Sequence, residues 1–132
     1  MTLNSEERNA IVAIRMQKAK ETLQDAKDIA NLEIWNVVAN RLYYACYYAV
    51  CALLIKHGYS ARTHSGAISL LGQHFVSKGI INKEQGKFYG KLFELRHNGD
   101  YDDWIIIDAK DVESKIAPAE EFISIIETVI FK

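Results

Sequence analysis

The sequence contains little that would interrupt a helix and little that would attract a polyanion. Its 132 residues include one proline and seven glycines, which favours long helices over many short strands. The net charge is −1, whereas proteins that grip a nucleic-acid backbone usually carry a basic excess, because counterion release supplies most of that affinity. Any contact with RNA therefore has to rest on a local patch or be weak.

The sequence also shows neither a typical export signal nor an apolar run long enough to span a membrane. The first ten residues, MTLNSEERNA, carry acids and no apolar core, so they do not resemble a secretory signal. The longest uncharged apolar run, Leu42 to Ile55, is too short to cross a bilayer. Cys46 and Cys51 point in different directions from one predicted helix and are interpreted as reduced core cysteines. These features predict a cytoplasmic protein without membrane contacts.

Length and composition predict one domain over residues 1–132. Apolar residues make up 49% of the chain and charged residues 25%, as in an ordinary globular protein. The hydrophobic rhythm is helical throughout, and no internal repeat is evident. We therefore expect an all-α fold, an up-and-down helical bundle of about five helices with a four-helix core.

The first two predicted helices carry the clearest signals. Asn4 and Glu7 have the spacing of a capping box. The second helix, from about Glu33 to His57 with Gly58 after its end, is apolar on every side, which predicts a central helix covered by its neighbours and partly by a second subunit. The wet side of the first helix is expected to be a solvated face, with a cationic surface as the alternative; its charged residues are Arg8, Arg15, Lys18, Lys20, Glu21 and Lys27.

The remaining elements are predicted from caps and apolar spacing. Thr63 or Ser65 is expected to cap a third helix, and Asn82 to open a fourth. A fifth is expected near Asp108 or Asp111, with a kink or restart at Pro118. Residues 104–107 are interpreted as an apolar connector.

The stretch ELRHNGDYDDW, residues 94–104, places polar residues where the rhythm of the fourth helix calls for apolar ones. Arg96 and Asp100 follow Tyr89 and Phe93 in steps of three and four. One interpretation is a helix-end ion pair that anchors a loop, with Tyr101 and Trp104 covering the core. The other is that Arg96 projects into a groove and binds phosphate, for which a guanidinium is well suited.

The order and character of the segments resemble the HEPN family, the "higher eukaryotes and prokaryotes nucleotide-binding" domain. The matching stretches are NRLYYACYYAVCALLIKHG, THSGAISLLGQHFVSKGIIN, KLFELRHNGDYDD and APAEEFI. The resemblance covers nearly the whole chain. It implies a helical bundle that is typically a homodimer. It also implies frequent pairing with a small nucleotidyltransferase in toxin–antitoxin or defence operons.

Many HEPN members carry an arginine, four to six residues and then a histidine, which together form a metal-independent ribonuclease site. The arginine matches Arg96, but the histidine positions hold Tyr101, Asp102 and Asp103. The chain instead resembles the branch with arginine, three residues and Asp-Tyr, except that Gly99 stands where that branch commonly has alanine. A tyrosine is a poor general base at neutral pH, and nearby acids repel RNA.

The sequence therefore favours a HEPN module that binds a nucleotide or a nucleotidyltransferase. A divergent ribonuclease toxin using Arg96 with His97 or His64, and a purely structural or protein-interaction dimer, are the alternatives. Under the favoured hypothesis Tyr101 contributes a hydroxyl or a stacking face, and it is also a candidate acceptor for a transferred nucleotide.

Other residues suggest a wider polar cluster. Arg62 and His64 lie beside predicted helix N-terminal amides, where they can bind an anion, although capping or an interhelical hydrogen bond is the expected role of His64. No metal site and no cofactor is expected, because the four histidines form no ligand motif. The binding residues predicted from the sequence are Arg96, Asp100, Tyr101, Arg41, Tyr44 and His64.

Overall fold

The computed structural model of the protein describes residues 3–101 and 106–132. These residues form helices and no strands, so the predicted all-α bundle is confirmed. The elements are α1 (Ser5–Ala30), α2 (Trp35–Lys56), α3 (His64–Leu71) with a π-helical turn (Gly72–Val76), α4 (Lys83–Tyr101), α5 (Ala109–Val112) with a 3-10 turn (Glu113–Lys115), and α6 (Ile116–Ile130).

Local signals set the ends of these helices largely as predicted. Asn4 and Glu7 form the expected capping box, and Gly58 adopts the left-handed conformation (φ +85°) after the end of α2. Thr63, rather than Ser65, caps α3 by accepting a hydrogen bond from the Gly66 amide. The amide of Gln85 donates to the Asn82 side chain at the start of α4. The sequence did not predict the π-helical turn after α3.

The C-terminal segment restarts as predicted, although slightly earlier than Pro118. Asp108 caps α5 in a capping box with Asp111, and a 3-10 turn separates this short helix from α6. Because Pro118 is the third residue of α6, its missing N–H belongs to the group that lacks an intrahelical partner anyway. Ile106 and Ile107 lie outside any helix, as expected of the connector, while residues 104 and 105 lie outside the described part.

The central helix of the bundle is α2, which contacts α1, α3, α4, α5 and α6. Its residues Leu42, Tyr43, Ala45, Ala49 and Leu53 are fully buried. By length and composition α2 is apolar enough to cross a membrane, but 61% of the relevant window is buried against the other helices, as in the core helix of a bundle. Packing within the chain therefore explains most of its apolar character, although Tyr44, Tyr47 and Tyr48 are only half-buried.

Three side chains lie differently from their predicted positions. Arg8 and Arg15 are half-buried between α1 and α2, and Lys27 is half-buried beside Glu120, so the prediction of a solvated face was wrong for these three. His74 is likewise half-buried, with its ring stacked on Tyr59 at a centroid distance of 4.1 Å. Each exception comes from a contact between segments distant in sequence.

Candidate functional site

Arg96 lies inside the bundle, with only 6% of its surface exposed. Its guanidinium carbon is 5.0 Å from the centre of the Tyr43 ring, 5.5 Å from Tyr44 and 5.6 Å from Phe93. Such contacts attract a cation to the negative faces of aromatic rings. The interpretation that Arg96 projects into a solvent-filled groove is therefore wrong for the single chain, because three rings cover the side chain.

A chain of polar contacts connects Arg96 to the beginning of α2. Arg96 Nη1 lies 3.5 Å from Asp100 Oδ2, which also accepts a hydrogen bond from the Asn40 amide at 3.3 Å. The side-chain Oδ1 of Asn40 in turn accepts hydrogen bonds from Arg41 Nε (3.0 Å) and Nη2 (2.8 Å). The predicted Arg96–Asp100 pair thus forms, and it joins the end of α4 to α2. We call Tyr43, Tyr44, Phe93, Arg96 and Asp100 the Arg96 cluster.

The Arg96 side chain is not fully satisfied within the described part of the chain. Among residues 3–101 and 106–132, its buried Nε has no hydrogen-bond partner. The contact with Asp100 is also long for an ion pair between a guanidinium and a carboxylate. Packing on aromatic rings, more than hydrogen bonding, therefore keeps this charge in the interior.

His64 makes the interhelical hydrogen bond that was one of its expected roles. Its Nδ1 lies 2.7 Å from the Tyr43 hydroxyl, and its ring packs against Tyr47 at a centroid distance of 4.6 Å. Burial lowers the pKa of His64, and the nearby Arg96 guanidinium lowers it further. His64 is therefore a neutral imidazole at pH 7 and joins α3 to the Arg96 cluster.

Two aromatic side chains at the end of α4 remain accessible. Tyr101 is 70% exposed, and His97, also exposed, lies 4.8 Å from it between ring centroids. The Tyr101 ring is still 6.0 Å from the Arg96 guanidinium. The prediction that Tyr101 covers the core was wrong, because its ring borders the cluster on the solvent side. Trp104, for which the same prediction was made, lies outside the described residues, and so do Asp102 and Asp103.

Gly99 does not open α4, which continues to Tyr101. A Cβ atom at position 99 would lie 2.1 Å from Ile107 Cδ1, a distance at which something has to shift. Ile107 itself is buried with 8% exposure. The glycine that departs from the resemblance thus allows the connector after α4 to pack closely on the helix.

The structure brings together most of the predicted binding residues. Arg41 packs on the Tyr44 ring at 5.3 Å, so it joins Arg96, Asp100 and Tyr101 at one end of the bundle. Arg62, by contrast, is exposed at the start of α3. Sequence reasoning missed the bridging role of Asn40, although its position beside Arg41 in NRLYY was a signal. Among the residues described, no group of three or more His, Cys, Asp or Glu side chains is placed to hold a metal ion.

Comparisons with known proteins agree with this architecture. A family model described as "HEPN domain" matches residues 12–129. The chain belongs to the HEPN family. A UPF0332 protein of Thermotoga maritima is 39% identical over 124 residues, covering 94% of each chain. A Methanocaldococcus jannaschii protein named "Putative toxin" is 30% identical over 128 residues, covering 97% of this chain and 94% of its own.

A second Methanocaldococcus jannaschii protein with the name "Putative toxin" is 26% identical over 98 residues, covering 74% of this chain and 67% of its own.

Proposed function

We propose that this HEPN chain is the toxin-like member of a toxin–antitoxin or defence-type system, and that it acts as a binding module. Its ligand is a nucleotide, free or carried by a small nucleotidyltransferase. The names of two relatives from Methanocaldococcus jannaschii support the toxin-like part. The binding role rests on the geometry at the end of α4.

The exposed pair of His97 and Tyr101 beside a buried arginine is the observation that carries the proposal. Planar rings at a surface offer stacking faces to a nucleobase, and such stacking tolerates any base. Neither ring is needed to fill the core, since Tyr101 is 70% exposed. Arg96 holds the adjoining rings and Asp100 in place from beneath.

Arg41, rather than Arg96, contacts the phosphate of the nucleotide in this proposal. Arg41 is half-buried at the same end of the bundle and offers five N–H donors, of which two are used on Asn40. The other donors have no hydrogen-bond partner among the described residues and can meet phosphate oxygens, an interaction for which a guanidinium is well shaped. Asp100 repels phosphate, so the phosphate has to approach from the Arg41 side.

A second copy of the chain is the other expected partner. Tyr44, Tyr47 and Tyr48 on α2 are only half-buried in the single chain, although the helix is apolar on every side. Covering these rings with the same face of another protomer would bury them further. This supports the homodimer that the family resemblance implies.

Thermal unfolding in the presence of AMP, ADP and ATP tests the binding role. We expect a nucleotide near ten times its Kd to raise Tm by about 4–6 °C, because it stabilises only the folded state. Arg41→Gln and Tyr101→Ala should abolish the shift, whereas Arg62→Gln, an exposed arginine outside the site, should retain it. Co-expression with any nucleotidyltransferase encoded beside this gene tests whether the nucleotide is carried by such a partner.

A nucleotide shift that persists in both site variants would contradict the assignment of these residues. If no nucleotide shifts Tm and no nucleotidyltransferase co-purifies, the binding module is rejected. The protein-interaction dimer then remains, with the Arg96 cluster as part of its fold.

Ribonuclease activity is the second candidate function, and one observation favours it. The buried Arg96 lies in contact with Tyr43, whose hydroxyl is hydrogen-bonded to the neutral imidazole of His64. A neutral imidazole suits a general base. Cleavage of single-stranded RNA in EDTA, lost in His64→Gln and in Arg96→Lys with folding intact, would replace the binding proposal by this one.

A further inference from the structure

Two arginines on α1 face α2 but differ in what they meet there. Arg8 and Arg15 are seven residues apart, two turns of helix, so they lie on one side of α1. Arg8 Nη1 donates a 2.7 Å hydrogen bond to the Ile55 carbonyl, near the end of α2. Arg15 has no acidic partner within the described residues 3–101 and 106–132. One arginine thus completes a helix terminus, while the other is left without a counter-charge.

Arg15 borders a cavity of about 230 Å³ between α1, α2 and the loop that follows α2. Three side chains that carry hydroxyl groups line it with Arg15: Tyr47, Tyr59 and Ser60. The rest of its wall is mainly apolar, from Leu54, Ile55 and the Cys51 thiol. An apolar cavity of about 150 Å³ is large enough to hold benzene, so this one admits a ring with a small substituent.

The arrangement has the composition of a small-molecule site. Such sites combine apolar walls with a few converging polar groups that orient the ligand. A half-buried arginine without a carboxylate among the described residues is best satisfied by an anion, and hydroxyl groups in the lining are donors of the kind that an anion accepts from. Burial raises the pKa of Tyr47 to about 12 and also raises that of Cys51, so both side chains are neutral at pH 7 and do not compete for Arg15.

We propose that this cavity binds a small organic anion, a carboxylate or phosphate monoester attached to an aromatic or short apolar body. Arg15 and the hydroxyls of Tyr47, Tyr59 and Ser60 hold the anionic group, and Leu54 and Ile55 contact the body. The site is separate from the nucleotide surface proposed above, so either proposal can fail alone. The Tyr47 ring lies between them, since it lines the cavity and also packs against His64.

Benzoate and phenyl phosphate are suitable probes, with benzyl alcohol as the neutral control. The first readout is Tm of the full chain, which each anion should raise by about 4–6 °C near ten times its Kd. The second is alkylation of Cys51 in the folded protein, to which the fully buried Cys46 should contribute little. Because only the unliganded fraction reacts, alkylation should slow about tenfold at that concentration.

Variants of the two α1 arginines give the matched comparison. Arg15→Gln should abolish both the rise in Tm and the protection of Cys51 from alkylation, whereas Arg15→Lys should retain both in part. Arg8→Gln should lower Tm, because it removes the contact with Ile55, yet leave the response to the anions intact. Lys18→Gln on the same helix replaces it as the control if Arg8→Gln does not fold.

Three results would overturn the proposal. The anions could fail to change Tm and alkylation at millimolar concentration. They could act equally on Arg15→Gln, which would indicate a general salt effect. Benzyl alcohol could protect Cys51 as well as benzoate does, which would indicate an apolar cavity without anion recognition.

Discussion

Arg96 and Arg15 are both drawn into tyrosine-rich parts of the same bundle, yet their surroundings differ. Arg96 is almost completely covered, packs on several rings and has Asp100 four residues away on its own helix. Arg15 is half-buried, faces a cavity and has no carboxylate among its described neighbours. The first arginine is part of the packing that defines the fold, whereas the second is open to a ligand.

The difference shows that residue type alone does not identify a binding arginine. A guanidinium that packs on aromatic rings and pairs with a carboxylate already makes most of its favourable contacts within the protein. Removing it therefore destabilises the fold. A guanidinium beside a cavity makes few contacts that the fold depends on. The following predictions test this division, beginning with the largest expected effect.

Arg96→Ala should lower the free energy of unfolding by about 2–4 kcal/mol, because it removes contacts with several aromatic rings and leaves a void beneath them. Arg15→Ala should cost less than about 1 kcal/mol. Urea unfolding followed by circular dichroism measures both. Equal losses in the two variants would remove the distinction between a structural and a ligand-facing arginine.

Gly99→Ala should be less favourable than Gly90→Ala by about 1–2 kcal/mol, because the added methyl group at position 99 overlaps Ile107 and offsets the gain that alanine brings to a helix. Ile107→Val in the same chain should recover part of the loss by withdrawing the overlapping Cδ1. Gly90→Ala is the control, since a Cβ there meets none of the described residues within 4 Å. Equal changes in stability for Gly99→Ala and Gly90→Ala would show that Ile107 does not pack as described.

Asp100→Asn should cost about 0.5–1.5 kcal/mol, since it weakens the acceptor shared by Arg96 and Asn40 while preserving its shape. The loss should be much smaller in an Arg96→Met background, where the charge that needs Asp100 is gone. A double-mutant cycle gives this coupling. Additive effects would mean that the contact of 3.5 Å between Arg96 and Asp100 contributes nothing.

The pH dependence of stability should show the smallest effect. Because the folded-state pKa of His64 lies below the usual 6.5, the unfolded chain binds more protons just below that pH. The contribution of His64 to the free energy of unfolding should therefore be fully present above about pH 6.5. It should be lost as the pH drops from about 6.5 toward the lowered pKa. His57, whose pKa burial also lowers, contributes with the same sign.

Unfolding at several pH values should give a shallower slope for His64→Gln than for the wild-type protein, with His57→Gln as the comparison. A steeper slope for His64→Gln would contradict the direction of its pKa shift.

Much of the fold was predictable because its signals are local. Asn4, Thr63 and Asp108 act as caps on groups a few residues away, and the all-round apolar pattern of α2 follows directly from its central position. The place of Arg96 was also signalled, since it occupies an apolar step of the α4 rhythm. The stacking of Tyr43, Tyr44 and Phe93 around its side chain depends on how α2 and α4 meet.

The cavity beside Arg15 was not predictable for the same reason. On α1 the residue belongs to a charged face, and only the antiparallel packing of α2 brings Tyr47 and Cys51 to it. The hydrogen bond from Arg8 to Ile55 joins residues 47 positions apart. Such contacts depend on how the whole bundle packs, so no local pattern in the sequence predicts them.

Arginine-selective modification of the folded protein by a dicarbonyl reagent, followed by peptide mass spectrometry, tests the central division most directly. We expect Arg62 to react fastest, Arg15 to react more slowly, and Arg96 to remain protected until the protein unfolds. Modification of Arg96 in the native protein at the rate of Arg15 would contradict the assignment of Arg96 to the interior.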